Sequence, residues 1–232
     1  LLEVLAFAQG QRPFEKPVFH LTFDDGLREC AEIIVPILKA RGLPATFFVN
    51  PAFIGNQDML YRMKQALLCS QSSRSKVEDR LDRERIWTTP FAEQYRLDQW
   101  AIQGGFSFER YLETERPYMT WKQLRDLKDQ GFHIGAHSMH HPPFQQLTET
   151  KMQTEAGSSL DVLEQNGLLN RRVFAFPFSD VGIPEITIKN LQSSLGIELM
   201  LGSSLLKKEK HSGHLQRIPI ETPPYRADGC VS

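Results

Sequence analysis

Two short polar motifs, far apart in the chain, hold the residue types that can do chemistry. Thr22-Phe23-Asp24-Asp25-Gly26 follows one apolar run, and His137-Ser138-Met139-His140-His141 follows another. Two adjacent carboxylates and two histidines four apart can bind one divalent metal and leave a carboxylate over for proton transfer. That is the minimum kit for metal-assisted hydrolysis. On one helical turn, positions i and i+4 face the same way. The spacing therefore predicts that His137 and His141 reach one ion, with His140 as the alternative second ligand. Two neutral imidazoles and one carboxylate leave positions open for water and substrate. Successive side chains in extended backbone point to opposite faces, so at a strand end one carboxylate can ligate while its neighbour takes a proton from water. Gly26 permits the sharp turn this needs. Taken singly, each motif also has an ordinary reading. Asp-Gly is a common turn, and the histidines, followed by Pro142-Pro143, make a surface loop.

The elements that must position these residues follow from the hydrophobic pattern. Residues 18–23 read as a buried strand ending at the Asp pair. Residues 27–40 read as a helix with Ile33, Ile34, Ile37 and Leu38 at helical spacing, closed by Arg41-Gly42. Residues 45–49 form a second strand, broken by Asn50-Pro51, and this β-α-β opening implies parallel strands with a right-handed crossover. Residues 51–117 differ, being rich in Gln, Arg, Glu and Ser. Short helices are expected at 60–69, 76–85 and 91–101, with a polar linker at 70–75. The stretch reads as an insertion over one face of the fold, either a lid or substrate wall or a purely structural cap.

Alternation then resumes. Thr120 with Gln123 is a capping box opening a helix over 121–130. Strands at 132–136, 173–176, 198–201 and 216–220 alternate with helices at 148–165 and 184–195. Such alternation predicts an α/β barrel or an open parallel sheet, and both gather ligands at the carboxyl ends of strands. Asp24-Asp25, the histidine motif and Pro177-Phe178-Ser179-Asp180 all fall at such ends. They can converge on one mouth, and this shared placement is stronger evidence than any single motif.

Length and composition set the outer bounds. The 232 residues are 41% hydrophobic and 24% charged, enough for a substantial core, and are read as a single catalytic domain over 1–232. A net charge of −1 gives no ground for nucleic-acid binding. Cys30, Cys69 and Cys230 are widely spaced with no CxxC, which argues against a disulfide framework or a zinc-thiolate site and favours a reducing compartment. No apolar stretch is long enough for a transmembrane segment. The opening Leu1–Ala8 is short, carries Glu3 and lacks a basic region, so it does not read as a signal peptide. The expected localisation is cytoplasmic. No feature sets an oligomeric state.

The two motifs together resemble the polysaccharide deacetylase family, also called the NodB homology domain or carbohydrate esterase family 4. Phe176-Pro177-Phe178-Ser179-Asp180 is similar to its third motif, often aromatic-Pro-Tyr-Gly. The resemblance implies a deformed (β/α) barrel of the NodB type, with the helical insertion after the second strand. It implies a hydrolase that removes N-acetyl groups from an amino sugar in a polysaccharide or glycan precursor, acting on carbon–nitrogen bonds other than peptide bonds. By the same resemblance Asp25, His137 and His141 are metal ligands, usually for Zn2+. Asp24 is the base for the attacking water, the Phe178 N–H steadies the oxyanion, and Ser138 steadies the histidine loop.

Two departures stand out. The family often has an Arg two residues before the Pro of the third motif, orienting the catalytic Asp. That place is Ala175 here, and Arg171 and Arg172 come too early. The family also often has a general-acid His near the end of a late strand. The stretch from Arg217 to Glu221 has none, and of the preceding His211 and His214 the choice falls on His214. These gaps motivate a non-catalytic glycan-binding relative as the alternative, and the insertion leaves a non-sugar amide substrate open. Trp87, Trp100 and Trp121 either stack on sugar rings or pack in core and lid.

Overall fold

In the computed structural model, described for residues 1–71, 78–205, 207, 209 and 211–220, six strands form one sheet. They are β1 (Leu21–Phe23), β2 (Ala45–Val49), β3 (His133–Ala136), β4 (Val173–Ala175), β5 (Leu199–Gly202) and β6 (His214–Gln216). Neighbours in space are neighbours in sequence, and every pairing is parallel. The sheet curls into a deformed (β/α) barrel of the NodB type, with β1 and β6 as its two free edges. Alternate residues feed opposite sides, as the pleat requires. Phe47, Val49, Ile134, Ala136, Phe174 and Met200 pack with the surrounding helices. Phe48, Val173, Ala175, Leu199 and Leu201 face inward, where Leu5 of the short helix α1 (Leu2–Ala8) meets them.

Several elements differ from expectation for local reasons. The first crossover helix is broken into a π-turn at Cys30–Ile34 and then α2 (Val35–Ala40). Pro36 has no N–H for a bond to Glu32, and the wider turn absorbs the lost hydrogen bond. Strand β6 lies two residues earlier than the hydrophobic pattern places it, so His214 is inside the strand and Arg217 just past its end. Pro219 lacks the ladder donor a strand at 216–220 would need. The expected end of that stretch at Glu221, residues 72–75 of the polar linker, the first two residues of the helix expected at 76–85, and Cys230 lie outside the described residues.

The insertion contains α3 (Tyr61–Gln71), α4 (Glu78–Thr88), α5 (Tyr95–Gln103) and α6 (Phe108–Glu115). The last was not anticipated. It is capped by Ser107, whose hydroxyl accepts from the Arg110 N–H at 3.1 Å. Residues Phe53, Met59, Tyr61, Leu97, Phe108, Leu112 and Tyr118 give the insertion its own core. It is anchored at the Asp-Asp-Gly turn: Met119 N–H donates to the Gly26 carbonyl at 2.9 Å, and Leu27 packs into both cores. The predicted capping box at Thr120 and Gln123 opens α7 (Trp121–Asp129). Helices α8 (Glu149–Gln165) and α9 (Glu185–Leu195) complete the outer layer. Among the described residues no helix is long and apolar enough to cross a membrane.

Candidate active site

Strand β1 ends at Phe23 and delivers Asp24. The chain then turns left-handed at Asp25 (φ 69°) and Gly26 (φ 69°). Asp tolerates this region better than most residues. Gly26 is required there, because a Cβ would lie 3.1 Å from Ile54 and 3.3 Å from Val49. The two carboxylates therefore diverge through backbone handedness rather than through strand alternation.

The histidine motif is not a helical turn either. It is a loop after β3 in which Ser138 (φ 65°) and His141 (φ 55°) are both left-handed. Three contacts hold it in shape. Asn50 at the end of β2 donates its side-chain amide to the carbonyls of His137 and Ser138. The Ser138 hydroxyl accepts from the His141 N–H at 3.0 Å, the steadying role expected of it. From α8, Glu155 accepts from the N–H groups of Met139 and His140 at 3.1 and 2.9 Å, and its other oxygen meets His140 Nδ1 at 2.9 Å. His140 is thereby tied outward, which leaves His141 as the candidate second ligand.

The result is a compact donor set. His137 Nε2 and His141 Nε2 are 3.1 Å apart, and Asp25 Oδ1 lies 3.2 Å from His141 Nε2 and 3.6 Å from His137 Nε2. All three donor atoms fall within 4.8 Å of one another. His137 Nδ1 donates to the Ala175 carbonyl at 2.8 Å, which fixes the tautomer and leaves Nε2 as the ligating lone pair. Burial pushes His137 below the ordinary histidine value and His141 down to about 4, so both are neutral at physiological pH. Two neutral imidazoles and one carboxylate, so spaced, fit one divalent ion.

Asp24 stands beside this set, its Oδ2 3.6 Å from His137 Nε2. Its main partner is Arg217, which the sequence did not single out. The guanidinium forms a fork on the carboxylate, Nη1 to Oδ1 at 2.7 Å and Nη2 to Oδ2 at 2.8 Å, with a further bond to Thr22 Oγ1 at 3.1 Å. Burial works against ionisation of Asp24, but His137 and the Arg217 fork outweigh it and hold the carboxyl below the usual range. With His137 neutral, Arg217 is the charge that persists at neutral pH. The place left vacant by Ala175 is thus filled from the other edge of the sheet. Arg171 and Arg172 sit at the far end of β4, paired with Glu198 and with Asp161 and Glu164.

The loop after β4 supplies the third wall. Phe178 is left-handed (φ 58°), its N–H donates to no other described residue, and its ring lies 4.6 Å from that of His141. Two residues on, Asp180 is buried and pairs with His214 Nε2 at 3.1 Å. Burial raises the Asp180 carboxyl, but hydrogen bonds from His214 and Gln216 hold it far below the usual range. Gly202 makes this possible, since a Cβ there would occupy the positions of the Asp180 and Gln216 side-chain oxygens.

His214 is not part of the metal triad. It clusters with Asp180 and Glu209, and the Gln216 amide nitrogen stands among them, 2.6 Å from Asp180 and 2.8 Å from Glu209. His211 bonds Gln192 on α9 instead. Trp121 packs against the main core and Trp100 against the insertion's core, whereas Trp87 is 53% exposed.

A divalent-ion donor set beside a forked carboxylate, at the strand ends of a parallel barrel, defines a hydrolase-type site. The sequence pattern of the polysaccharide deacetylase family matches residues 11–200, and the chain belongs to that family. Among curated proteins no relative is found. The fold is similar to that of IcaB from Ammonifex degensii, with 18% identity over 96% of this chain and 75% of that one and a TM-score of 0.61. It is also similar to the Streptococcus pyogenes deacetylase PplD in complex with acetate, with 19% identity over 94% and 70% and a TM-score of 0.56. A third similar structure is the BpsB deacetylase domain from Bordetella bronchiseptica, with 14% identity over 93% and 76% and a TM-score of 0.54.

Proposed function

We propose that this protein is a metal-dependent hydrolase that removes N-acetyl groups from an amino sugar in a polysaccharide or glycan precursor. The convergence of Asp25, His137 and His141 beside Asp24 carries the reading. Asp25, His137 and His141 hold a divalent ion, Zn2+ by donor type, which when bound supplies Lewis acidity to the attacking water and the acetyl carbonyl. Asp24 takes the proton of the water, and the Arg217 fork fixes the direction of its lone pairs. The Phe178 N–H donates to the carbonyl oxygen as negative charge develops there. Asp180 holds the His214 ring through Nε2 at 3.1 Å, and we assign to His214 the donation of a proton to the leaving amine. Water and amide are thereby converted to acetate and a free amine.

The Arg217 fork and the buried Asp180–His214 pair are candidates for the two parts whose absence from the motifs motivated a non-catalytic, glycan-binding alternative. They favour the enzyme. The test is Asp24→Asn, assayed by acetate release with metal content measured alongside. Loss of turnover with metal retained is the expected result, and unchanged turnover would sink the assignment.

A further inference from the structure

Beyond the reacting acetamide lies a patch that the proposed chemistry does not use. Arg62, at the start of α3, sits among three aromatic rings, its guanidinium carbon 5.1 Å from the Tyr61 centroid, 5.4 Å from Trp87 and 5.9 Å from Phe178. Phe178 is the residue whose ring touches His141, so one aromatic ring separates Arg62 from a metal-ligand imidazole. Phe178 is 40% exposed and Trp87 53% exposed, on the side of the insertion that meets the β4 loop. The Tyr61 ring is buried beneath them, edge-on to Phe178 and Phe91.

The polar partners of Arg62 among the described residues are neutral groups. Arg62 hydrogen-bonds the Gln65 side-chain oxygen at 2.9 Å and the Trp87 carbonyl at 3.2 Å, both from Nη1, and the Tyr61 hydroxyl is a further partner. No carboxylate pairs with it among the described residues, whereas Lys64, two residues on, is paired with both Asp58 and Asp98. A guanidinium carries five N–H donors in a planar fork that matches a carboxylate, and no charged partner neutralises this one among the described residues. Aromatic faces hold the plane of the cation without neutralising it.

We propose that Arg62, Trp87 and Phe178 form a subsite for a carboxylate-bearing sugar next to the N-acetylated unit. The exposed rings stack against the sugar, and the guanidinium of Arg62 takes its carboxylate. The substrate class is then an anionic glycan rather than a neutral one, and the insertion is a specificity wall. This inference rests on the deacetylase reading, so its test includes a binding arm that needs no turnover.

The experiment uses the zinc-loaded protein and two oligosaccharides of equal length, one of N-acetylglucosamine alone and one alternating N-acetylglucosamine with a hexuronic acid. The wild type should favour the carboxylated chain in kcat/KM by roughly tenfold or more, the worth of one charged hydrogen-bonded pair. Arg62→Gln should erase that preference, and Arg62→Lys, which keeps the charge but not the fork, should retain part of it. Calorimetric titration of both chains into the wild type and Arg62→Gln should give the same ordering of affinities. Circular dichroism confirms that the variants fold. Equal kcat/KM and equal affinity for the two chains, or a preference that survives Arg62→Gln, would overturn the subsite. If neither chain releases acetate, the deacetylase reading fails and the affinities alone decide the subsite: preferential binding lost in Arg62→Gln supports it, and indifferent binding refutes it.

Discussion

Replacing Arg217 with Met keeps the length of the side chain and removes the fork on Asp24. Both partners are largely shielded, with 16% of the Arg217 side chain and 31% of the Asp24 side chain exposed. The pair therefore ranks between an exposed ion pair, worth about 0.2–1 kcal/mol, and a fully buried one, whose disruption costs about 3–5 kcal/mol. A loss of about 2 kcal/mol is the reasonable middle value, and two charge-assisted hydrogen bonds account for it. If that stabilisation serves to aim the base, the loss appears as a roughly 30-fold drop in kcat. KM should change little if Asp24 is the proposed base, since its partner is then the water and not the sugar. The assay is acetate release with kcat and KM determined separately and zinc content measured on the same samples. Arg217→Lys restores a charge without the fork and should fall between the two. A kcat within about threefold of wild type for Arg217→Met, or a loss confined to KM, would refute the positioning role.

Other expectations follow from the same contacts. Glu155→Ala releases the loop that presents His141, so zinc affinity by calorimetry should fall about 10-fold or more; unchanged affinity would show that the loop holds itself. Burial, the leading cause, with His133 adding, depresses His20 to about 4. The unfolded chain then takes up a proton that the folded one refuses, and folding stability falls as pH drops below the ordinary histidine value. Between pH ~7 and ~5 this loss is about 2 kcal/mol, and His20→Gln, which keeps a partner for Thr46, should remove most of it in urea denaturation. An identical pH slope in wild type and variant would exclude His20 as a source. Gly202→Ala should displace Asp180 and lower kcat as Asp180→Asn does; normal activity in Gly202→Ala would mean that the Asp180–His214 pair is dispensable.

Local pattern decided much of this protein. The parallel β-α-β opening, the Thr120–Gln123 capping box, the strand at Ala45–Val49 and the placement of three polar motifs at strand ends could all be read from spacing and turn chemistry. So could the types of the candidate metal ligands, since two imidazoles and a carboxylate carry their chemistry with them. The geometry behind those ligands was another matter. A four-residue spacing read as a helical turn is a loop with two left-handed residues, held by Asn50 and Glu155 from elements remote in sequence.

What tertiary structure alone decided were the pairings between distant parts of the chain. Arg217 reaches Asp24 across 193 positions because curling brings the β6 end toward β1. Ala175 could not announce that its missing Arg would arrive from the opposite edge of the sheet. His214 turns inward and His211 outward because strand β6 begins at His214, two residues before the apolar alternation indicates. Trp87 and Phe178 meet around Arg62 only because the inserted helices pack where they do. Secondary structure is written in near-neighbour periodicity. Closure of a barrel depends on the sum of strand curl and helix packing, and no window of sequence contains that sum.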